Sequence, residues 1–318
     1  MTARNDSALR GEWRDAEPMA RHVSWRAGGT AQRCYVPADA ADLALCLSLI
    51  APDEPVHLVG LGSNLLVRDG GLRGTVILTH GALGRIESIS HDTDSAIFDA
   101  QCGVAAPKLA RMAARQGYAG AEFFAGIPGT VGGALAMNAG CYGAETWDRV
   151  LDVVTIDRRG QLRTRTPNDY DISYRHVSLR ASVSAGAGDE WFLSGRFRFP
   201  PGDSKAALAR IKELLARRIA SQPLGEPNAG SVFRNPPGDH AARLIESCGL
   251  KGIGIGGAQV STKHANFIVN RGSASASDIE RLIELVEASV ARKTGVHLVR
   301  EVRIVGEPAS PGGAYEHD

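Results

Sequence analysis

Glycine-rich loops constrain the possible folds of this chain more than any other sequence feature. The chain has 318 residues, 37 of them glycine. Three loops, at residues 60–65, 126–133 and 228–236, interrupt its apolar runs. A glycine costs conformational entropy on folding, but it lets another group come close to the backbone. We therefore expect a fold built around ligands that touch the main chain.

Charge and cysteine content exclude several classes of protein. Lys and Arg total 36 and Asp and Glu total 35, which leaves a net charge of +1 and disfavours a nucleic-acid-binding protein. The five cysteines form no CxxC pair and no HExxH occurs, so we expect no disulfide framework and no metal site. The sequence shows no signal-peptide core and no apolar run of membrane length, which predicts a cytoplasmic protein without a membrane span.

Apolar periodicity predicts an α+β protein. We place a domain boundary near residues 200–207, with many strands before it and a smaller α/β unit after it. A capping box at Ser277–Glu280 predicts the start of an amphipathic helix. The Pro/Gly/Ala-rich end at 307–318 is expected to be a disordered tail, and residues 1–19 a flexible N-terminus. Further predicted elements are helices at 39–50, 107–116 and 208–219, a hairpin at 149–166, and strands at 74–78, 96–100, 191–199, 264–270 and 297–305.

The first two loops are candidates for holding a phosphorylated ligand. Residues 60–65 follow the apolar strand 56–59, where small residues let backbone N–H groups point at a phosphate. A plain strand-ending turn explains them equally well. Residues 126–133 contain several glycines and continue into 138–140. Two such loops suit a dinucleotide held along its length, although close helix–strand packing would also require glycine.

The remaining motifs are weak when each is taken alone. Gly252–Gly257 matches GxGxxG, but it lacks the preceding strand and following helix of a dinucleotide site, so we expect a structural turn. No Walker motif is present. Ser231 in the third loop could be a turn residue or a catalyst. Arg175 and Glu301 could be ordinary salt-bridge residues.

Taken in order along the chain, these motifs resemble the bacterial UDP-N-acetylenolpyruvoylglucosamine reductase family. The resemblance covers roughly residues 20–306. The matching segments are 25–29, 60–69, 125–143, 174–175, 229–236, 249–252 and 301–304. The chain looks like the group that lacks an extra tyrosine-bearing loop.

The resemblance implies an α+β fold with FAD and NADPH as cofactors. A two-subdomain, PCMH-type FAD-binding unit would occupy residues 20–203, with subdomains at 20–85 and 86–203. A smaller α/β substrate-binding domain would occupy 204–306. The residues implied to bind the cofactor are Gly60, Leu61, Gly62, Ser63, Asn64, Leu65, Gly126, Ile127, Pro128, Gly129, Thr130, Gly132, Gly133, Asn138, Ala139 and Gly140.

The family chemistry implies three catalytic residues. NADPH reduces the flavin, which then passes a hydride to the enolpyruvyl β-carbon of UDP-N-acetylglucosamine enolpyruvate. Arg175 would stabilise the resulting negative charge, Ser231 would protonate the α-carbon, and Glu301 would assist, a role that suits a protonated carboxyl with a raised pKa. The residues implied to bind the substrate are Arg175, Tyr174, Arg234, Asn235, Lys263 and His264.

One departure from the family pattern concerns the segment after Arg175. The family usually has a serine two residues after this arginine, whereas here Ser178 is displaced by one position. Two rival functions remain open, an oxidase with the same flavin fold and a non-catalytic UDP-sugar-binding protein. The Arg175, Ser231 and Glu301 set disfavours the first, and the two flavin-type loops disfavour the second. The sequence predicts no obligate protein partner.

Overall fold

A computed structural model describes residues 8–91, 93–184 and 188–309. Its mixture of helices and strands agrees with the predicted α+β class. Residues 1–7 of the predicted flexible start and 310–318 of the predicted tail lie outside the described residues.

The strands are β1 (Glu12–Pro18), β2 (Thr30–Val36), β3 (Val56–Val59), β4 (Leu65–Val67), β5 (Leu72–Leu78), β6 (Ile86–His91), β7 (Ala96–Gln101), β8 (Gly140–Cys141), β9 (Ala144–Glu145), β10 (Val150–Asp157), β11 (Leu162–Arg165), β12 (Tyr170–Ser173), β13 (His176–Leu179), β14 (Glu190–Phe199), β15 (Gly254–Ile255), β16 (Ala258–Val260), β17 (Ile268–Asn270) and β18 (Arg303–Val305). The helices are α1 (Ala40–Leu49), α2 (Ala106–Arg115), α3 (Val131–Met137), α4 (Ala181–Ser184), α5 (Ser204–Ser221), α6 (Ala241–Ser247) and α7 (Ala276–Thr294). One sheet has the order β1-β2-β5-β3 and another the order β11-β10-β14-β7-β6.

The chain forms two compact units that are not contiguous in sequence. Of the described residues, the first unit contains those at 8–13, 35–61 and 77–218, and the second contains those at 14–34, 62–76 and 219–309. The predicted domains 20–203 and 204–306 differ from these units and stay a prediction of the sequence.

The first unit is built on the antiparallel sheet β11-β10-β14-β7-β6. Alternate residues of β7 and β14 point into one apolar core, where Phe98, Phe197 and Phe199 have no exposed surface. Helices α2 and α3 bury their apolar sides in the same core. Pro107 lies in the first turn of α2, as predicted, because its missing N–H and fixed φ suit that position.

The second unit is built around α7. Its apolar stripe, which includes Ile279, Leu282 and Val286, is buried together with residues of α6 and of the sheet β15-β16-β17. The predicted GxGxxG segment forms the β15–β16 hairpin, which confirms a structural turn. Of the predicted strands 264–270 and 297–305, only β17 and β18 form, because the preceding residues make turns and loop contacts instead.

A partly buried ion pair between Arg68 and Glu280 in the second unit predicts that the stability of the fold decreases at acid pH. Arg68 donates to both carboxylate oxygens of Glu280, at 2.8 to 3.2 Å, and this bond holds the pKa of Glu280 below its ordinary value. The folded state therefore binds the proton less readily than the unfolded state does. The stabilisation is complete above the unfolded pKa, about 4.3, and is lost as the pH falls through the folded pKa.

We expect Glu280→Gln to lower the free energy of unfolding by about 1 kcal/mol at pH 7, a figure that allows for the partial exposure of Arg68. The difference from the wild type should shrink towards pH 3. Urea unfolding curves across this pH range measure it. A difference that stays constant with pH would contradict the assignment.

Candidate active site

The loop at residues 60–65 presents a row of uncommitted backbone donors. No described residue accepts a hydrogen bond from the backbone N–H groups of residues 60–64. Residues in this loop are half-buried. Successive N–H groups without protein acceptors can donate hydrogen bonds to an anion such as a phosphate where they point in the same direction. Binding of a dinucleotide diphosphate by this loop stays a prediction of the sequence.

Gly60 brings the first loop against the second. A Cβ on Gly60 would lie 2.4 Å from Oγ1 of Thr130, so only glycine allows this approach. Thr130 itself is buried and caps α3, accepting a 3.4 Å bond from the Gly133 N–H. The two loops predicted to hold one ligand are therefore in direct contact through these residues.

The second loop also has buried donors without protein acceptors. Gly129 and Thr130 are buried, and none of the described residues accepts a bond from either backbone N–H. By contrast, the N–H groups of Val131 and Gly132 donate to the carbonyls of Val104 and Cys102. Buried backbone donors are nearly always paired in native proteins, so the N–H groups of residues 129–130 could donate to a ligand.

Asn138 organises the segment that follows the second loop. Its buried side chain donates to Glu145 (2.7 Å) and to the Ser173 carbonyl (3.2 Å), and it accepts from the Trp147 N–H (3.1 Å). The residue has φ +41°, which ends α3. The side chain is therefore committed to the protein, and the N–H groups of Asn138 and Ala139 also donate to the Leu135 and Ala134 carbonyls of α3. Sequence reasoning missed Glu145, which carries no recognisable motif.

Arg175 lies at the tip of a two-residue hairpin between β12 and β13. Its φ of +54° is uncommon for a residue with a side chain. The guanidinium donates to the carbonyls of Gly140 (3.0 Å) and Asn138 (3.4 Å) and lies 5.3 Å from the centroid of the Tyr174 ring. The hairpin thus delivers Arg175 to the predicted cofactor segment. The displaced Ser178 bonds to the ring of His176 at 3.1 Å.

Backbone pairing in the second unit brings the Ser231 and Glu301 segments together. The Glu301 N–H donates to the Val232 carbonyl at 2.8 Å, and Phe233 forms a bridge with Arg300. Ser231 is the residue immediately before this ladder. Within the described residues, its hydroxyl has no hydrogen-bond partner, so it is available to a ligand.

Asn64 connects the first loop to Glu301. Its side-chain amide donates to the Glu301 carbonyl at 3.0 Å, and its own carbonyl accepts from the Arg303 N–H at 3.0 Å. The parallel pairing of β4 with β18 continues this connection. The side chain of Asn64, predicted to bind the cofactor, therefore holds a predicted catalytic segment in place.

Among the predicted substrate-binding residues with a charged side chain, Arg234 has the fewest side-chain bonds to the rest of the described protein. Its Nε is buried, and no described residue accepts from it or forms an ion pair with the guanidinium. The residue as a whole is half-buried, and a half-buried guanidinium without a carboxylate partner can bind an anion supplied from elsewhere. Arg234 therefore suits the binding of a phosphate or carboxylate group.

Three other predicted substrate-binding residues interact with the rest of the protein. Asn235 accepts from the N–H of Ala241, and Lys263 donates to the Ile219 carbonyl at 2.5 Å. Burial, followed by the charge of Lys251, lowers the pKa of His264. His264 is therefore neutral at pH 7 and would meet a substrate as a dipole, not a cation.

The described parts of the chain show neither a membrane-spanning helix nor a metal-binding cluster. Every helix there is too short or too polar to cross a bilayer. No group of three or more His, Cys, Asp or Glu side chains in those residues could hold a metal ion.

Comparisons with known proteins match two parts of the chain. Residues 31–165 match the FAD binding domain family, and residues 222–305 match the C-terminal domain of UDP-N-acetylenolpyruvoylglucosamine reductase. The UDP-N-acetylenolpyruvoylglucosamine reductase of Thiobacillus denitrificans is 60% identical over 308 residues, with 94% of each chain covered. That of Nitrosospira multiformis is 56% identical over 319 residues, covering 96% of this chain and 92% of the relative.

A solved structure supports the same relationship. The UDP-N-acetylenolpyruvylglucosamine reductase of Thermus caldophilus matches with a TM-score of 0.75 at 29% identity, covering 93% of this chain and 99% of that one. Sequence and fold therefore agree over nearly the whole length. The chain belongs to the UDP-N-acetylenolpyruvoylglucosamine reductase family.

Proposed function

We propose that this chain reduces UDP-N-acetylglucosamine enolpyruvate to UDP-N-acetylmuramate, with FAD as cofactor and NADPH as reductant, in peptidoglycan precursor synthesis in the cytoplasm. The relatives' names support the reaction class. The observation that carries the proposal is the backbone pairing of the Ser231 and Glu301 segments. This pairing places a free hydroxyl next to a carboxylate-bearing strand.

The residues fit FAD at the two glycine-rich loops. The unpaired N–H groups of residues 60–64 suit its diphosphate, and those of Gly129 and Thr130 supply further buried donors. When bound, FAD would take a hydride from NADPH and give one to the β-carbon of the enolpyruvyl double bond. The protein's task is then to bind the substrate anion, stabilise the developing charge and deliver a proton.

Arg175 is proposed to stabilise the negative charge that develops on the enolpyruvyl carboxylate. The guanidinium is already fixed by the Asn138 and Gly140 carbonyls, so little reorganisation is needed during the reaction. A planar, permanently charged fork also suits a carboxylate better than an ammonium does. Tyr174 stacks against the same guanidinium and would border the substrate.

Ser231 is proposed to donate the proton to the α-carbon. A serine hydroxyl is a weak acid, but the enolate that it protonates is a strong base. Glu301, in its protonated form, would assist this transfer without repelling the enolate. Arg234 would bind the substrate diphosphate, with Asn235, Lys263 and His264 around it. The burial of the unpaired Arg234 Nε supports this role.

The contact at Gly60 predicts a variant that loses FAD. In Gly60→Ala the new methyl would lie 2.4 Å from Oγ1 and 2.9 Å from Cγ2 of Thr130, so this buried side chain, which caps α3, must move or the two loops must separate. We expect FAD occupancy after purification to fall at least about tenfold, equivalent to about 1.4 kcal/mol of binding free energy. Absorbance spectra and FAD titration measure this loss.

Gly84→Ala is the matched control, because a Cβ there meets nothing within 4 Å. It should retain FAD like the wild type. Normal FAD retention in Gly60→Ala would show that the contact between the loops does not shape the cofactor site.

Anaerobic stopped-flow absorbance tests the proposed function directly. The FAD-loaded protein is reduced with NADPH and then mixed with UDP-N-acetylglucosamine enolpyruvate. Rapid reoxidation without oxygen is the expected result. Reduction without substrate-driven reoxidation would favour a flavin enzyme with another substrate. No flavin band, even after FAD is added, would favour a UDP-sugar-binding protein.

A further inference from the structure

Asn266 holds the chain immediately after Ser231. This residue is only 4% exposed. Its Oδ1 accepts from the Phe233 N–H at 3.0 Å, and its Nδ2 donates to the Phe233 carbonyl at 2.8 Å. Its main-chain carbonyl accepts from the Val232 N–H at 2.9 Å. One residue therefore fixes both of the positions that follow Ser231.

The opposite edge of this segment is held by the strand that carries Glu301. The Val232 carbonyl accepts from the Glu301 N–H, and the Arg234 N–H donates to the Val299 carbonyl, both at 2.8 Å. The side-chain amide of Asn266 thus takes the place that a peptide group of another strand would occupy. Residues 232–234 are restrained from both sides, and Ser231 is the first residue beyond them.

Asn266 also orients His264. The Asn266 N–H donates to Nδ1 of His264 at 3.3 Å, and the lowered pKa of His264 keeps the ring neutral. A neutral ring whose Nδ1 accepts a bond carries its proton on Nε2. The same residue therefore contacts two segments of the candidate site.

We propose that Asn266 is a positioning residue that sets the location of the Ser231 hydroxyl for proton transfer; this inference rests on the proposed function. The restraint acts through the backbone of Val232 and Phe233, because Asn266 has no direct bond to Ser231. Misplacing a reacting group by about 1 Å can lower a rate about 100-fold. The side chain of Asn266 should therefore affect the proton-transfer half of the reaction selectively.

Asn266→Asp tests this role with almost no change in size. The variant loses the donor to the Phe233 carbonyl, and a carboxylate oxygen then faces that carbonyl. We expect the limiting rate of flavin reoxidation at saturating UDP-N-acetylglucosamine enolpyruvate to fall about 100-fold. Flavin reduction by NADPH should stay within about two-fold of the wild type, because it needs no proton from Ser231.

Asn270→Asp is a closely matched control. Asn270 is 5% exposed, donates to the Trp25 carbonyl at 2.9 Å, and accepts from the N–H groups of Gly272 and Ala274. Its replacement introduces the same chemical change without touching the Ser231 segment. Both half-reactions should stay close to wild-type rates.

The outcomes separate this inference from the proposed function. Wild-type protein that NADPH reduces but the substrate does not reoxidise would overturn the proposed function, and the inference with it. If the wild type reacts, an Asn266→Asp variant that reoxidises normally overturns the positioning role alone. Equal slowing of both half-reactions also overturns it. If Asn266→Asp does not fold, Asn266→Gln, which shifts the amide by one methylene, is judged by the same rates.

Discussion

Replacement of Ser231 by alanine is expected to abolish substrate reduction almost completely. The hydroxyl is the proposed proton donor to the α-carbon. The two residues before Ser231 are Ala229 and Gly230, so neither supplies a hydroxyl in its place. We expect the limiting rate of flavin reoxidation by the substrate to fall about 10⁴-fold, which is the upper range for loss of a general acid. Flavin reduction by NADPH should survive. Anaerobic stopped-flow absorbance measures the two steps separately.

Ser247→Ala is a suitable control for this experiment. The Ser247 hydroxyl donates to the Leu244 carbonyl of its own helix at 2.8 Å and has no proposed part in the reaction. Both half-reactions should proceed normally in this variant. Near-normal turnover in Ser231→Ala would remove Ser231 from the mechanism.

Replacement of Arg175 by lysine is expected to have the second-largest effect. Lysine keeps the positive charge, but a single ammonium cannot reproduce a planar fork that bonds to the carbonyls of both Asn138 and Gly140. The charge would then move with a flexible side chain. We expect the limiting rate of substrate reduction to fall about 10²- to 10³-fold, as when a preorganised charge-stabilising donor is lost. Single-turnover rates at saturating substrate measure it.

Arg180→Lys tests whether any arginine of the same hairpin would matter equally. Arg180 donates to the Tyr170 carbonyl at 3.1 Å and pairs with Asp171, away from the hairpin tip. This variant should retain substrate reduction. Equal losses in Arg175→Lys and Arg180→Lys would point to folding of the hairpin instead of charge stabilisation.

Local features of the fold were predictable because their causes lie within a few residues. Helix α1 begins after Asp39, whose side chain accepts from the Asp42 N–H, and the hairpin of β10 and β11 forms where it was expected. The start of α7 shows the limit. The prediction of a capping box at Ser277–Glu280 was wrong, since Ser275 and Asp278 form the observed capping box.

A distant residue also bonds to the observed start of α7. Asp69 accepts from the N–H groups of Ala276 and Ser277 at 2.9 and 2.8 Å. Asp69 thus supplies acceptors for the first two N–H groups of α7, which have none within the helix. Two capping boxes only two residues apart look alike in a single sequence, and a contact with a carboxylate 207 positions away is not visible there.

The sequence by itself determined the family, the α+β class and the loops that carry the candidate site, because ordered motifs and local periodicity are properties of residue order. Only the tertiary structure showed that the Asn64 side chain bonds to the Glu301 backbone and that Asn266 clamps Phe233, across 237 and 33 positions. Asparagine side chains can bond to almost any nearby backbone group. Residue order alone cannot show which distant backbone groups folding brings within reach.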